Sequence, residues 1–303
     1  MHSLSQPDFL SPEYIRSAVC QDGYSLRYRR WPALGKAEGT LILVNGMMSH
    51  SGWFLELAYL LTGLQLDVVG ADRRGTGLNE GNRGDAPSRE ILISDLQGII
   101  ENEDRGLPIF LAGWSWGAVP VVIAAHQLGR KLAGLIFLAP GLFPSAAIKQ
   151  AVRREIIACR GFEPDFACLQ SPLTPEMFSD REKVLNFIRE DALTQRVFTP
   201  RFFRIAGEMS IAAHASLPEL SQPVLLLLAE RDETADNLQT LEAFQRLPKA
   251  LLTTASLNCR HGMQFEHPHE IVSRILQWLQ SASQVLIMKD FLDSDEQQSY
   301  FCE

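Results

Sequence analysis

The chain is poor in clustered positive charge: no run of Lys or Arg exceeds a pair, as at Arg29-Arg30, Arg73-Arg74 and Arg153-Arg154. Against 28 Lys and Arg stand 36 Asp and Glu, for a net charge of -8. Nucleic-acid partners need grouped cations against phosphate, so that class is excluded, and an acidic surface is a poor dock for anionic membranes. Cysteines are few, odd in number and scattered, at Cys20, Cys159, Cys168, Cys259 and Cys302, with no CxxC. That spacing suggests neither a zinc site nor a disulfide framework, and reduced cytoplasmic thiols are the expectation. The start, Met1 to Tyr14, lacks a basic segment followed by an apolar core, so no secretory signal is expected, and no internal repeat is visible. One stretch, Gly106 to Gly129, has no formal charge and is long enough to cross a bilayer. Gly113, Ser115, Gly117 and Pro120 interrupt it, however, and a buried strand followed by a buried helix explains the same apolarity. No transmembrane segment is expected.

What that stretch does contain is Gly113-Trp114-Ser115-Trp116-Gly117, set between the apolar run Pro108 to Ala112 and the apolar stretch Ala118 to Ala125. This is Gly-x-Ser-x-Gly in a strand-turn-helix context. A serine hydroxyl is a poor nucleophile and must be held clear of the backbone, beside a base and near amides that can receive an oxyanion. A sharp turn from strand to helix provides that, with room for little beyond hydrogen at the flanking positions. Taken alone, the pentapeptide would also fit a chance Gly/Ser turn.

Further parts follow in a telling order. Thr40-Leu41-Ile42-Leu43-Val44 is a β-branched apolar strand running into Asn45-Gly46-Met47-Met48, where a second oxyanion amide is expected. Pro223 to Ala229 is another buried-strand run, ending in Glu230-Arg231-Asp232, and Ala250 to Ala255 leads to Asn258-Cys259-Arg260-His261-Gly262. Serine, acid and histidine each come just past a strand, in the order of α/β-hydrolases and not of the chymotrypsin-like or subtilisin-like proteases.

At 303 residues the chain suits one large α/β domain with an insertion. From Gly39 strands alternate with helices: Gly39 to Gly46, Trp53 to Thr62, Leu66 to Ala71, Arg89 to Glu103, Pro108 to Ser115, Gly117 to Leu128, Leu132 to Leu138. Such alternation predicts a mostly parallel, doubly wound sheet covered on both faces. Ala18 to Cys20 and Ser25 to Arg30 read as an antiparallel hairpin at its edge. Leu92, Leu96, Ile99 and Ile100 share one helix face, as do Ile271, Ile275, Trp278 and Leu279.

The alternation breaks from Leu142 to Ser221, where three amphipathic helices are expected (Ala146 to Arg160, Arg181 to Asp191, Thr199 to Ala215). An insertion after the sixth core strand lies over the carboxyl ends of the strands, so a helical lid is the natural reading; helices that only extend the core are the plainer one. The resulting division is a hydrolase core at 1–141 and 222–283, a lid at 142–221 and a tail at 284–303 that could dock on the body or a partner.

These parts make the chain resemble the α/β-hydrolase superfamily, and more narrowly its monoacylglycerol lipase and lysophospholipase-like branch, often labelled serine aminopeptidase S33. The resemblance covers most of the length. It rests on Val44-Asn45-Gly46, Asp72-Arg73-Arg74-Gly75-Thr76-Gly77, Gly113 to Gly117, Asp232 to Asn237 and His261 to Glu266. In the insert, Leu173 to Ser179 and Asp191-Ala192-Leu193 resemble that branch's lid, which usually has Asp-Pro-Leu at the second place. Two positions depart from the pattern: Asn45 stands where His is usual, and Trp116 replaces a small or Met-like residue.

The roles that follow are Ser115 as nucleophile, His261 as base and then acid, and Asp232 to hold the imidazole. The backbone amides of Met47 and Trp116 are the expected oxyanion donors, and Gly46, Trp114 and His50 are expected around the substrate. His126, His267 and His269 read better as packed or solvated, and Asp236, which competes with Asp232, as a helix cap. Asp72 reads as a brace for the turn that follows it. In the insert, Phe162, Phe166, Phe187, Phe198, Phe202 and Phe203 could line an acyl pocket or simply pack. No metal, nicotinamide or flavin motif is present, so no cofactor is expected.

The expected activity is hydrolysis of a carboxylic ester through an acyl-enzyme, on a small-molecule acyl substrate, with transient membrane contact through the lid conceivable. Thioester, acyl-transfer or amide chemistry on the same residues stays open, as does a non-catalytic ligand-binding homologue.

Overall fold

A computed structural model describes residues 11–281; the expected tail at 284–303 lies outside them. The first two strands, β1 (Ile15–Val19) and β2 (Ser25–Trp31), form the expected antiparallel hairpin. After them come β3 (Gly39–Val44), α1 (Leu55–Thr62), β4 (Leu66–Ala71), α2 (Arg89–Asn102), β5 (Ile109–Trp114), α3 (Ala118–Leu128) and β6 (Gly134–Leu138). The insert holds α4 (Ala146–Ala158), β7 (Leu169–Gln170), α5 (Glu182–Glu190), β8 (Val197–Phe198) and α6 (Pro200–Ser216). The core resumes with β9 (Val224–Ala229), α7 (Asn237–Phe244), β10 (Leu252–Leu257), α8 (Met263–Glu266) and a last helix, α9, over 268–281.

Eight strands form one sheet in the order β1-β2-β4-β3-β5-β6-β9-β10. Every pair from β4 to β10 is parallel, and the two pairs at the β1 edge are antiparallel. β3, β4, β5, β6 and β9 are buried at every residue, as nearly continuous apolar sequences require, and the one charge among them, Asp67 of β4, is paired with Arg30. β10 closes the other edge and exposes polar residues such as Thr253 and Thr254.

Alternate residues of each strand feed two cores on opposite faces. Ile42, Val69 and Leu111 meet α2, α3 and α6 on one face. Leu41, Leu43, Val68 and Trp114 meet α1 and the Ile271, Ile275 and Trp278 stripe of α9 on the other. The strand order reverses between β3 and β5, whose carboxyl ends lie side by side with Val44 opposite Gly113. A crevice opens at such a reversal, which is where ligands enter open α/β sheets.

The insert is not uniform. Helix α6 buries Phe202, Phe203, Ile205, Ala206, Met209 and Ala213 and packs on α3, so it is part of the core. Helix α4 buries only Ile148. Between them β7 and β8 pair as a two-residue antiparallel ribbon that periodicity does not reveal, since two residues cannot show an alternation.

Candidate active site

The turn after β5 puts Ser115 at φ +56°, the left-handed region that a residue with a side chain rarely occupies. The turn closes tightly on β3: a Cβ on Gly117 would lie 2.2 Å from the Val44 carbonyl oxygen. A Cβ on Gly46 would lie 2.9 Å from Ser115 Cβ, so the loop after β3 can approach the serine only as glycine.

Ser115 Oγ lies 2.7 Å from His261 Nε2, and His261 Nδ1 lies 2.7 Å from Asp232 Oδ2. The His261 and Asp232 side chains are fully buried. The loop carrying His261 is held at both ends: its carbonyl accepts from Trp114 Nε1 at 3.1 Å, and its amide donates to Met177 O at 3.2 Å. Asp232 Oδ1 accepts from the Thr234 amide and hydroxyl, each at 2.8 Å, and from the Ala235 amide at 3.1 Å. Burial pushes the Asp232 carboxyl up, but the charge and hydrogen bond of His261, joined by the Thr234 bonds, outweigh it and hold it below the usual carboxylate range. A carboxylate on Nδ1 keeps the ring proton there and leaves the Nε2 lone pair facing the serine hydroxyl.

Thr234 is a residue that sequence reasoning missed. Its Oγ1 lies 2.9 Å from His261 Nδ1 as well as 2.8 Å from Asp232 Oδ1, so it joins the two groups. Asp236 instead caps α7, accepting from the Gln239 amide at 3.0 Å. Cys259, two residues before His261, is buried, and its thiol is pushed up to about 12, so it stays protonated and offers no second nucleophile.

The loop after β3 is gripped from behind. Asn45 donates through Nδ2 to Gly46 O at 3.1 Å and to Ser49 O at 2.5 Å, so it anchors the loop in the place where His is usual. Arg73 donates to Gly46 O at 2.9 Å and also to Met47 O. Its guanidinium lies 5.3 Å from the Trp116 ring centroid and 5.2 Å from that of Phe202. Burial pulls it down to about 9 although Asp72 works the other way. In a trans peptide the carbonyl and the following N–H point in opposite directions. Holding Gly46 O on the Arg73 side therefore turns the Met47 amide away from Arg73. The only signal for Arg73 in the sequence is the doubled arginine of the Asp72-Arg73-Arg74-Gly75 turn.

Ser115, Met47, Trp116 and Thr234 line one cavity of about 450 Å³, open to solvent. Its walls are Ile148, Val152, Ile156 and Ile157 of α4, with Leu173, Phe203, Ala206 and Gly207 opposite. Two residues expected around the substrate stand elsewhere. Trp114 projects to the other face of the sheet, where its ring packs 5.5 Å from that of His261 and forms a backing for it. His50 is buried, with Nε2 2.8 Å from Asp191 Oδ2 and Nδ1 accepting from the Gly52 amide. Gly46 touches Ser115 itself. Of the six insert phenylalanines expected near an acyl chain only Phe203 lines this cavity; Phe198 and Phe202 are core, Phe162 stacks on Phe166, and Phe187 packs against Trp53 and Phe265. Among the described residues no group of His, Cys, Asp and Glu could hold a metal ion, and no helix is long and apolar enough to cross a membrane.

The sequence pattern of the family described as "Serine aminopeptidase, S33" matches residues 35–268. The human protein named monoglyceride lipase is 25% identical over 236 residues, covering 76% of this chain and 77% of its own. An abhydrolase-domain protein of Dictyostelium discoideum is 24% identical over 272 residues, and there the chain spans 29% of the relative's length. Among solved structures, the monoacylglycerol lipase of Paleococcus ferrophilus superposes with a TM-score of 0.71 at 25% identity, covering 83% of this chain and 99% of that one. A soluble variant of the Saccharomyces cerevisiae monoglyceride lipase shares the fold at a TM-score of 0.75 and 17% identity, over 88% and 96% of the two chains. With a serine elbow at the sheet reversal and the family pattern spanning most of its length, the chain belongs to the serine aminopeptidase S33 family of α/β-hydrolases, in the branch that resembles monoacylglycerol lipases.

Proposed function

We propose that the protein hydrolyses carboxylic esters of aliphatic acids, with Ser115, His261 and Asp232 as its catalytic residues. The observation that carries this is the unbroken chain from Ser115 Oγ through both ring nitrogens of His261 to Asp232, with 2.7 Å at each step. His261 takes the Ser115 proton as Oγ attacks the acyl carbonyl, and then gives it to the departing alcohol, leaving the acyl group on Oγ. Water, deprotonated by the same imidazole, releases the acid and restores the serine. Asp232 stays ionised and stabilises the imidazolium. The Met47 and Trp116 amides receive the oxyanion, each such donor being worth about 3 kcal/mol in other hydrolases.

The ester class is supported by the monoglyceride lipase relatives and by the apolar cavity beside Ser115. In this reading α4 is the movable part of the insert and α6 its fixed base. Labelling by a fluorophosphonate probe, followed by mapping of the modified peptide, tests the assignment. The label is expected on Ser115, and Ser115→Ala is expected to lower hydrolysis of p-nitrophenyl esters by about three orders of magnitude or more with unchanged circular dichroism. A tenth of the activity surviving in a folded variant would remove Ser115 from the role.

A further inference from the structure

The cavity beside Ser115 has a charge that the rest of the molecule does not. The chain as a whole is acidic, at -8. Yet Lys149, Arg153 and Arg160 all line this cavity, and no Asp or Glu does. Elsewhere many arginines are committed, some to carboxylates, as Arg30 to Asp67 and Glu103, Arg74 to Asp22 and Asp95, Arg201 to Asp85 and Arg260 to Asp180 and Glu233, and others to backbone carbonyls, as Arg73, Arg83 and Arg196. Among the described residues none of these three exposed cations has an ion pair or a side-chain hydrogen bond, although the charge of Lys149 acts on the nearby Asp236 carboxylate. The carboxylate next to them on α4, Glu155, is turned to the Gln170 amide at 3.0 Å.

Their placement along α4 is ordered. Ser145 caps the helix and donates to Glu233 O at 2.9 Å, while its amide donates to Thr234 O, so the start of α4 is fastened to the loop that carries Asp232. Lys149 stands about one turn along and Arg153 a second, while Arg160 follows the helix end, about 16 Å from Lys149 at the rise of a helix. Ile148, Val152 and Ile156 run beside them into the same space. An apolar strip flanked by unpaired cations suits a ligand that is aliphatic in one part and anionic in another.

We propose that the preferred substrate is an acyl ester carrying a phosphate or carboxylate, with the anion held by Lys149, Arg153 and Arg160. This rests on the ester-hydrolase reading above and adds the charge of the substrate to it. Two sources of the anion are chemically distinct: a phosphate on the alcohol that leaves, or a carboxylate at the far end of the acyl chain.

Matched medium-chain esters, used as monomers in solution, separate them. One pair is the octanoyl ester of glycerol against that of glycerol 3-phosphate. The other is a methyl ester of a monocarboxylic acid against the methyl half-ester of the dicarboxylic acid of equal length. In wild type at least one anionic member is expected to exceed its neutral match in kcat/KM by about tenfold, mainly through KM, as several partly exposed charge contacts together provide. That ratio is expected to fall toward one in 0.5 M salt and in the folded triple variant Lys149→Gln/Arg153→Gln/Arg160→Gln. Neutral members equal to or better than anionic ones in both pairs would overturn the proposal while leaving ester hydrolysis intact. So would a ratio unmoved in the triple variant, or a loss seen only when substrate is presented on anionic phosphatidylglycerol vesicles, which would mark α4 as a surface dock. If no ester is hydrolysed, calorimetric binding of decyl phosphate against decanol to Ser115→Ala decides separately. Tighter binding of the phosphate that disappears in the triple variant sustains the anion site, and equal binding ends it.

Discussion

The floor of the site and its outer wall follow opposite rules of construction. On the floor nearly every polar atom is committed: His261 is held through both ring nitrogens and both backbone groups, and Asp232 receives bonds on both oxygens. On the wall, α4 buries one residue, leaves Ile156 and Ile157 about half exposed, and carries cations without partners. Preorganisation is useful where charge develops in the transition state, and looseness is tolerable where an aliphatic chain only has to leave water. Floor substitutions should therefore change kcat, and wall substitutions should change KM with chain length.

The largest effect that would break this contrast concerns the acid. Asp232→Asn is expected to lower kcat by about three to four orders of magnitude, because an amide cannot fix the imidazole tautomer or stabilise its charge. Asp236→Asn, four residues on, changes only a helix cap that asparagine can also provide. The measurement is kcat of both variants on one soluble ester, and the reverse ranking would move the acid to Asp236.

Where sequence succeeded and failed divides along the same line. The central strands and the elbow are legible because buried parallel strands are written as nearly continuous apolar runs, and Ser115 and Asp232 each follow such a run, whereas His261 follows the edge strand β10, whose LTTASL sequence is half polar. Trp114 and Trp116 look equivalent beside Ser115, and strand alternation would set residues two apart on one face, but the strand ends at Trp114 and the left-handed turn at Ser115 breaks the alternation, so only Trp116 reaches the cavity. His50 was expected at the entrance; its partner Asp191 lies 141 positions away, and no local pattern announces that pairing. The amphipathic pattern of the insert was visible, yet periodicity gives the presence of an apolar face and not the surface it meets. Hence α6 proved to be core and α4 a cavity wall. The tail expectation falls outside the described residues.

A smaller effect sharpens the floor. Arg73 touches carbonyls of the loop but lines no part of the cavity beside Ser115, so it is a positioning residue. If it turns the Met47 amide toward the oxyanion, Arg73→Met should lower kcat by about tenfold to a hundredfold, less than full loss of a donor because Asn45 still holds Gly46 O. KM for a short ester should stay near the wild-type value. A merely structural role would lower the melting temperature and leave the kcat of the folded fraction unchanged, so the kcat to KM split measured well below that temperature separates the two.

The smallest effect belongs to the wall. Ile157 is 47% exposed and lines the cavity, so its truncation leaves little of the core disturbed. Ile157→Ala is expected to cost about 0.5 kcal/mol of stability or less. Phe202→Ala in α6, where the ring is 1% exposed, should cost about 3 to 5 kcal/mol by emptying a filled core site. The functional consequence should run the other way with chain length. Wild type should gain roughly 0.8 kcal/mol in kcat/KM for each methylene that enters the cavity. In Ile157→Ala that gain should shrink only for the methylenes that reach α4, leaving acetyl and butyryl esters unaffected. A series of esters from two to sixteen carbons, run below their micelle thresholds on both proteins, gives the slope directly. Parallel profiles would mean that the acyl chain takes another path, between α6 and Leu173, and a flat profile in wild type would mean that this cavity does not read acyl length.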